Sequence, residues 1–405
     1  MRDVMRGVRV LEVASWTFVP AAGAVLSDWG ADVLKIEHPT QGDPQRGLAT
    51  LGVLPGGAGV NFMIEFPNRG KRSVAIDIAT DDGRDLLYRL AATADVFLTS
   101  FLPDARQRLR IDLEHIRAAN PDIIYVRGHG QGVRGPDAGR GGYDASSFWS
   151  RGGVGDSLTP AGATMPAMQR PAFGDVMGGM TIAGGIAAAL FARANTGETS
   201  VVDISLLGTA MWTVQPDIIM TEALGLDDVF RFGDRRARPN PLVGGYPTKD
   251  DRWIHLNMMQ ADRFWADLCQ HLGHPELIDD PRFADAAVRA QNCRELVDVF
   301  DDIFRSRTLD EWKQALATAD GVWAPVQRVV ELQDDPQVQA NGYLRPVTDS
   351  AGHDFHLVAA PVQFDEQPPD LRAAPDHGAH TDEVLRELGL SDEEIMARKV
   401  SGAIL

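Results

Sequence analysis

The chain has 405 residues, 44% hydrophobic and 24% charged, which is ordinary for a globular protein of two or three domains, or of one large domain with an insert. Its 57 acidic and 39 basic residues give a net charge of −18, which argues against nucleic-acid and anionic-membrane partners and leaves anion binding to a local basic patch. Two cysteines, Cys269 and Cys293, match no metal motif and make no disulfide framework, so a reduced, cytoplasmic setting is expected, with no metal.

The N-terminal "MRDVMRGVRVLEVAS" lacks a long apolar region and reads as a first strand, not a signal peptide. Strand "VRVLEVA" leads to a helix opened by Pro20 and closed by Gly30. Strand "DVLKIE" follows, then a Gly/Pro-rich loop from Pro39 to Gly59. "SVAIDI" is a strand, "DDGRDLLYRLAATA" a helix, "DVFLTS" a strand, and "IIYVRG" another after two short helices. Such alternation predicts an α/β fold with a parallel sheet. Gly128 to Gly153 reads as a ligand-wrapping loop. The apolar stretch around "TIAGGIAAALFA" is too short to span a bilayer and is expected to be a buried helix. "TSVVDIS" is a strand and residues 206–225 are mainly helical. Composition changes near Arg231, where the chain crosses into a small sheet followed by helices to about Ala319. The end, "HTDEVLRELGLSDEEIMARKV", is a pair of charged helices.

Several chemistries lack their residues. The first turn, "ASWTFVP", has no glycine fingerprint, so Glu37 at the end of the second strand reads as a surface acid and not a ribose ligand. There is no P-loop and no Gly-x-Ser-x-Gly elbow, and the histidines around His271 and His377 have no third ligand nearby. Asp175 in "PAFGDVMGGM" stands out. A carboxylate at a helix start is commonly a cap. With glycines around it there is also room for a reacting carbonyl, and backbone N–H groups near Gly178 and Gly179 can serve an oxyanion.

The blocks "VRVLEVASWTFVPAAGAVLSDWGADVLKIEHPTQGDPQR", "NRGKRSVAIDI", "ADVFLTSFLPDARQRL", "FGDVMGGM" and "GETSVVDISLL" resemble the class III coenzyme A transferases (CaiB/BaiF), a family that includes formyl-CoA transferase and the α-methylacyl-CoA racemases. The resemblance implies a large Rossmann-like domain from both chain ends (1–224 and 331–405), a smaller α+β domain inserted between them (225–330, with linkers), and an interlocked homodimer. It implies that Asp175 is the nucleophile, that acyl-CoA and a carboxylic acid are the substrates, and that no cofactor is permanently bound. Coenzyme contacts fall on Trp16, Thr17, His38, Lys71, Arg72, Arg108 and Arg127, although His38 replaces the family's usual arginine or proline. Lys71, Arg72 and Arg108 are expected to form the basic patch. The racemase branch needs a histidine where this chain has Tyr143, a poor base with a pKa near about 10 against about 6.5. That favours transfer over racemisation, with His129 as a minor candidate base or acyl-pocket residue. A non-catalytic acyl-CoA-binding protein and a subunit of a larger complex are the other readings. The loops "HPTQGDPQRGLATLGVLPGGAGVNF" and "SLTPAGATMPAMQRPAF" are expected to shape a pocket for a medium or bulky acid.

Overall fold

The computed structural model describes residues 3–48, 59–229 and 234–405. Part of the first pocket loop (49–58) and part of the segment leading to the small sheet (230–233) lie outside the described residues. The chain divides into two compact units, one of Met1–Thr159, Met165–Val229 and Pro336–Leu405, the other of Pro160–Thr164 and Phe230–Asp335.

The first unit is built on six parallel strands: β1 (Arg9–Val13), β2 (Asp32–Glu37), β3 (Arg72–Ala75), β4 (Val96–Thr99), β5 (Ile124–His129) and β6 (Val201–Ser205). Their order is β3-β2-β1-β4-β5-β6. Parallel neighbours need crossover connections, which is why helices alternate with these strands. Alternate strand residues face opposite sides. Val10, Val33, Val96, Leu98, Ile124 and Val126 join the core layer of the first helix, Phe18–Asp28, while Leu11, Leu34, Phe97 and Tyr125 join the other layer. Burial on both faces accounts for the near-continuous apolar runs of these strands.

The same alternation carries two charges inward. Glu12 and Lys35 face the layer of the first helix and stand opposite each other in the β1–β2 register. Lys35 Nζ lies 3.3 Å from Glu12 and 2.9 Å from Asp43. Lys71 Nζ donates to both Glu12 oxygens at 2.8 Å, to the Pro20 carbonyl and to Asn68. All four charged side chains are cut off from water. Burial by itself would lower the Lys35 pKa, but Asp43, Glu12 and Glu37 raise it, whereas at Lys71 burial outweighs Glu12 and the pKa falls. Gly23 lets the first helix approach this cluster, since a Cβ there would stand 2.0 Å from Glu12 Oε2.

Local departures from the predicted elements have simple causes. The first helix starts at Phe18 and carries Pro20 in its first turn, where a proline is tolerated. Residues 144–150, predicted as loop, form a helical turn. The helix Phe173–Thr196 has 24 residues, and by length and composition it is long and apolar enough to cross a membrane, which corrects the expectation that it is too short. It is also not a fully buried helix. Ile182, Ala183 and Ile186 enter the sheet's core layer, while Phe191 on another face is exposed.

The second unit has an antiparallel sheet of β7 (Val243–Pro247), β8 (Trp253–Asn257) and β9 (Trp323–Pro325), packed with helices around Trp265, Phe283, Phe300, Phe304 and Trp312. In the first unit's C-terminal stretch, β10 (Leu344–Thr348) and β11 (Asp354–Val358) form a hairpin, and the chain end returns to β3, where the Asp77 N–H donates to the Ala403 carbonyl.

Removing the charge of Glu12 leaves Lys71 buried without a carboxylate. Glu12→Gln is expected to cost about 3–5 kcal/mol, read as a lower urea midpoint. Lys313→Gln, which breaks the exposed Lys313–Asp310 pair, should leave the midpoint unchanged.

Candidate active site

In an open parallel sheet the ligand crevice lies outside the C-terminal strand ends, where the strand order reverses. Here the reversal falls between β1 and β4. A cavity of about 420 Å³ opens there, lined among others by Ala14, Ser15, His38, Asp77, Phe101 and Arg108. His38 follows β2, its Nδ1 accepts the Thr40 N–H at 3.2 Å, and its Nε2 stands 3.9 Å from Asp77. Glu37 is not a surface acid. It is buried, with Arg46 bidentate on its carboxylate at 2.7 and 2.8 Å and Ser73 donating at 2.6 Å. Burial would raise its pKa, but Arg46, Lys35 and Ser73 hold it down at about 2.

Ala14 and Ser15 in the cavity wall are followed by Trp16, whose ring meets Tyr143 edge-on at 5.5 Å. Two residues later Phe18 packs on the helix that carries Asp175. This short stretch therefore runs from the cavity wall to the helix that carries Asp175. Asp175 is the third residue of its helix, half-buried, and no side chain or backbone N–H among the described residues donates to its carboxylate. Desolvation by burial, and then the negative charge of Asp144, push its pKa up to about 7.

Asp175 is not the cap. The residue before the helix is Ala172, in a left-handed conformation and with no capping side chain. Asp144, far back in sequence, accepts the Gly174 N–H at 3.1 Å. Burial nonetheless raises the pKa of Asp144. Capping is thus done by one carboxylate, and the second is left without a structural duty.

Gly178 and Gly179, expected as oxyanion donors, lie in the second helical turn, where an α-helix commits each N–H to the carbonyl four residues back. Their bareness serves packing instead. A Cβ on Gly178 would stand 2.3 Å from the Phe18 ring, and one on Gly179 would stand 2.6 Å from Ala21 Cβ.

The expected basic patch does not assemble. Lys71 is consumed by Glu12 in the core. Arg72 begins β3, at the opposite end of the sheet from the cavity, and pairs with Asp32 at 2.7 Å, Glu387 at 2.6 Å and Glu383 at 3.0 Å. Only Arg108 of the three lines the cavity. Arg127 is bidentate on Asp203 at 2.7 and 2.9 Å. His129 lies 3.3 Å from the same Asp203. Burial would raise the Asp203 pKa, but His129 and Arg127 hold it down at about 2. Strand alternation puts Tyr125, Arg127 and His129 on the sheet face away from the Asp175 helix, which removes His129 as a base beside Asp175. The residues that the sequence reading missed are Asp144, Asp203 as the shared partner of Arg127 and His129, and the buried Asp43. For the Glu12–Lys35 pair that Asp43 joins, the signal was present in the acid and base at matched positions of "VLEV" and "VLKI".

Comparison with known proteins identifies the family. Residues 5–381 match CoA-transferase family III. The chain is 32% identical over 394 residues to the (R)-2-hydroxy-4-methylpentanoate CoA-transferase of Clostridioides difficile, covering 97% of each. It is 31% identical over 398 residues to the cinnamoyl-CoA:phenyllactate CoA-transferase of Clostridium sporogenes, covering 97% of this chain and 95% of that one. A crystal structure of a CaiB/BaiF family protein from Brucella suis aligns with a TM-score of 0.80 at 28% identity, over 95% of this chain and 99% of that one. The family match begins before β1 and ends at the start of the helix Thr381–Glu387, so it takes in the cavity, the Trp16 turn and Asp175 alike, and the chain belongs to CoA-transferase family III.

Proposed function

We propose that this enzyme moves coenzyme A from an acyl-CoA donor to a carboxylic acid through covalent Asp175. The single observation that carries this reading is a half-buried carboxylate with no hydrogen-bond donor among the described residues, relieved of capping by Asp144. The Asp175 carboxylate attacks the thioester carbonyl, the C–S bond breaks, and a mixed anhydride and CoA thiolate form. The thiolate attacks the aspartyl carbonyl, releasing the donor acid and leaving an aspartyl-CoA thioester. The acceptor carboxylate attacks that thioester, and the returning thiolate takes the acceptor's acyl group and frees Asp175. The cavity lined by His38 and Arg108 takes the coenzyme, and Trp16 and Thr17 contact it on the way to Asp175. Tyr143, more than half exposed beside Trp16, lies toward the acyl group. The names of the two relatives support branched or aromatic 2-hydroxy acids as the first acceptors to try.

A 2-methylacyl-CoA racemase would need a second base near neutrality, and Tyr143 with His129 turned away supports transfer instead. The reading includes a cytoplasmic setting, supported by the buried free thiols of Cys269 and Cys293. It also includes a smaller domain at 225–330 between 1–224 and 331–405, supported by the compact second unit, and an interlocked homodimer. The dimer is supported by apolar surface. The helix Gln215–Leu224 has no buried residue, yet Ile219 and Leu224 are exposed, as are Trp212 and Phe191 at 73% each.

Asp175→Asn is expected to abolish CoA exchange while keeping the far-ultraviolet spectrum, and mass spectrometry of the parent with acyl-CoA should find the adduct on Asp175. Near-parent exchange by a stable Asn variant sinks the covalent route. Solvent deuterium entering the α-carbon of a 2-methylacyl-CoA without acceptor acid would instead move the enzyme to the racemase branch.

Only the ionised carboxylate attacks. Hence kcat/KM should rise with pH through an apparent pKa of about 7 and level off above it. Asp144→Asn removes a neighbouring negative charge, which lowers the Asp175 pKa and should move this limb to lower pH. A limb that stays in place shows that Asp144 does not set it.

Sedimentation should find dimers that persist on dilution until the chain unfolds. A folded monomer at nanomolar concentration counts against interlocking.

A further inference from the structure

The turn between β1 and the first helix is held from beneath in a costly conformation. Trp16 has φ 69°, a left-handed backbone that penalises a residue with a Cβ and that glycine takes freely. Asp43 Oδ1 accepts the Trp16 N–H at 3.3 Å and the Gln45 N–H at 3.0 Å. Asp43 Oδ2 pairs with Lys35 Nζ at 2.9 Å, and the same ammonium donates to the Ala14 carbonyl at 3.0 Å. Gln45 Nε2 lies 2.8 Å from Thr17 Oγ1. The Asp43 N–H in turn donates to Glu37 at 2.9 Å. Ala14, Trp16 and Thr17 are thus each tied to a buried polar group, while the Trp16 ring stands partly exposed against Tyr143. Apolar side chains of similar volume would hold the sheet equally well. They would not hold this backbone, because a satisfied polar network locks one geometry.

We propose that Asp43 and Gln45 are positioning residues for the coenzyme thioester, keeping the Trp16–Thr17 turn in the conformation that joins the cavity behind β1 and β2 to Asp175. The proposal rests on the coenzyme reading above. An untied Trp16 relaxes to an ordinary φ, its ring leaves Tyr143, and the coenzyme must then reorder the turn when it binds. Such a loss appears in binding affinity more than in the chemical step.

Calorimetric titration of the full chain with CoA, alongside steady-state transfer, tests this. Asp43→Ala and Gln45→Leu should each raise the Kd for CoA by about tenfold, with kcat at saturating acyl-CoA changed less than about threefold. Gln45→Leu leaves the Lys35 ion pair intact, so it answers the question even where Asp43→Ala folds poorly. In the Trp16→Gly background the left-handed conformation carries no penalty, and the further loss from either substitution should shrink to about twofold or less. Equal losses in both backgrounds, or unchanged affinity in both folded variants, overturn the proposal. A parent chain with no affinity for CoA overturns the coenzyme reading, and this proposal falls with it.

Discussion

Charge taken out of water is costly unless each member finds a partner and its remaining hydrogen bonds. Glu12, Lys35, Lys71 and Asp43 meet that demand among themselves, at the centre of the first unit. Their arrangement fixes several things together. It sets β1 against β2 in register, and it requires a glycine in the first helix for close approach. It anchors the residue before β3 to the carbonyl at Pro20. Through Asp43 it also reaches the turn that leads to Asp175. The strand order and the place of the cavity follow from an ordinary doubly wound sheet. The conformation of the loop at its mouth depends on this cluster.

An acidic chain that handles coenzyme A must present cations somewhere, yet most candidate cations are already matched to acids. Lys71, Arg72 and Arg127 are each neutralised within the first unit. Arg108, with His38 beside Asp77, remains at the cavity. On the coenzyme reading proposed above, binding there draws on shape and backbone contacts as much as on charge, which makes the geometry of the entrance matter more.

The parallel sheet was legible because both faces of its strands are buried, leaving runs such as "VLEVA" and "DVLKIE" between helical segments. The helix start around Asp175 was legible from its glycine-rich setting, but what the glycines do was not. Gly178 and Gly179 are bare because Phe18 and Ala21 press on them, a fact about a helix far away in sequence. The cap was hidden for the same reason, since Asp144 reaches its helix across 30 positions. Lys71 beside Arg72 in "NRGKRS" reads as a surface basic pair, and only the fold separates one that turns into the core from one that stays at the strand's outer end. Alternation could have given the placement of His129. In β5, Tyr125 and His129 share a face that Val126 and Gly128 do not.

The division between Asp144 and Asp175 bears on the energy of the resting enzyme. A desolvated carboxylate next to another carboxylate is the least comfortable form of this site. In the covalent route proposed here, forming an anhydride or a thioester on Asp175 converts it to a neutral group, so that the repulsion and most of the desolvation penalty disappear with the charge. That relief offsets part of the cost of making an anhydride, while the negative charge itself passes to the departing thiolate. The carboxylate that burial makes hardest to keep charged is thus the one that gains most from being acylated.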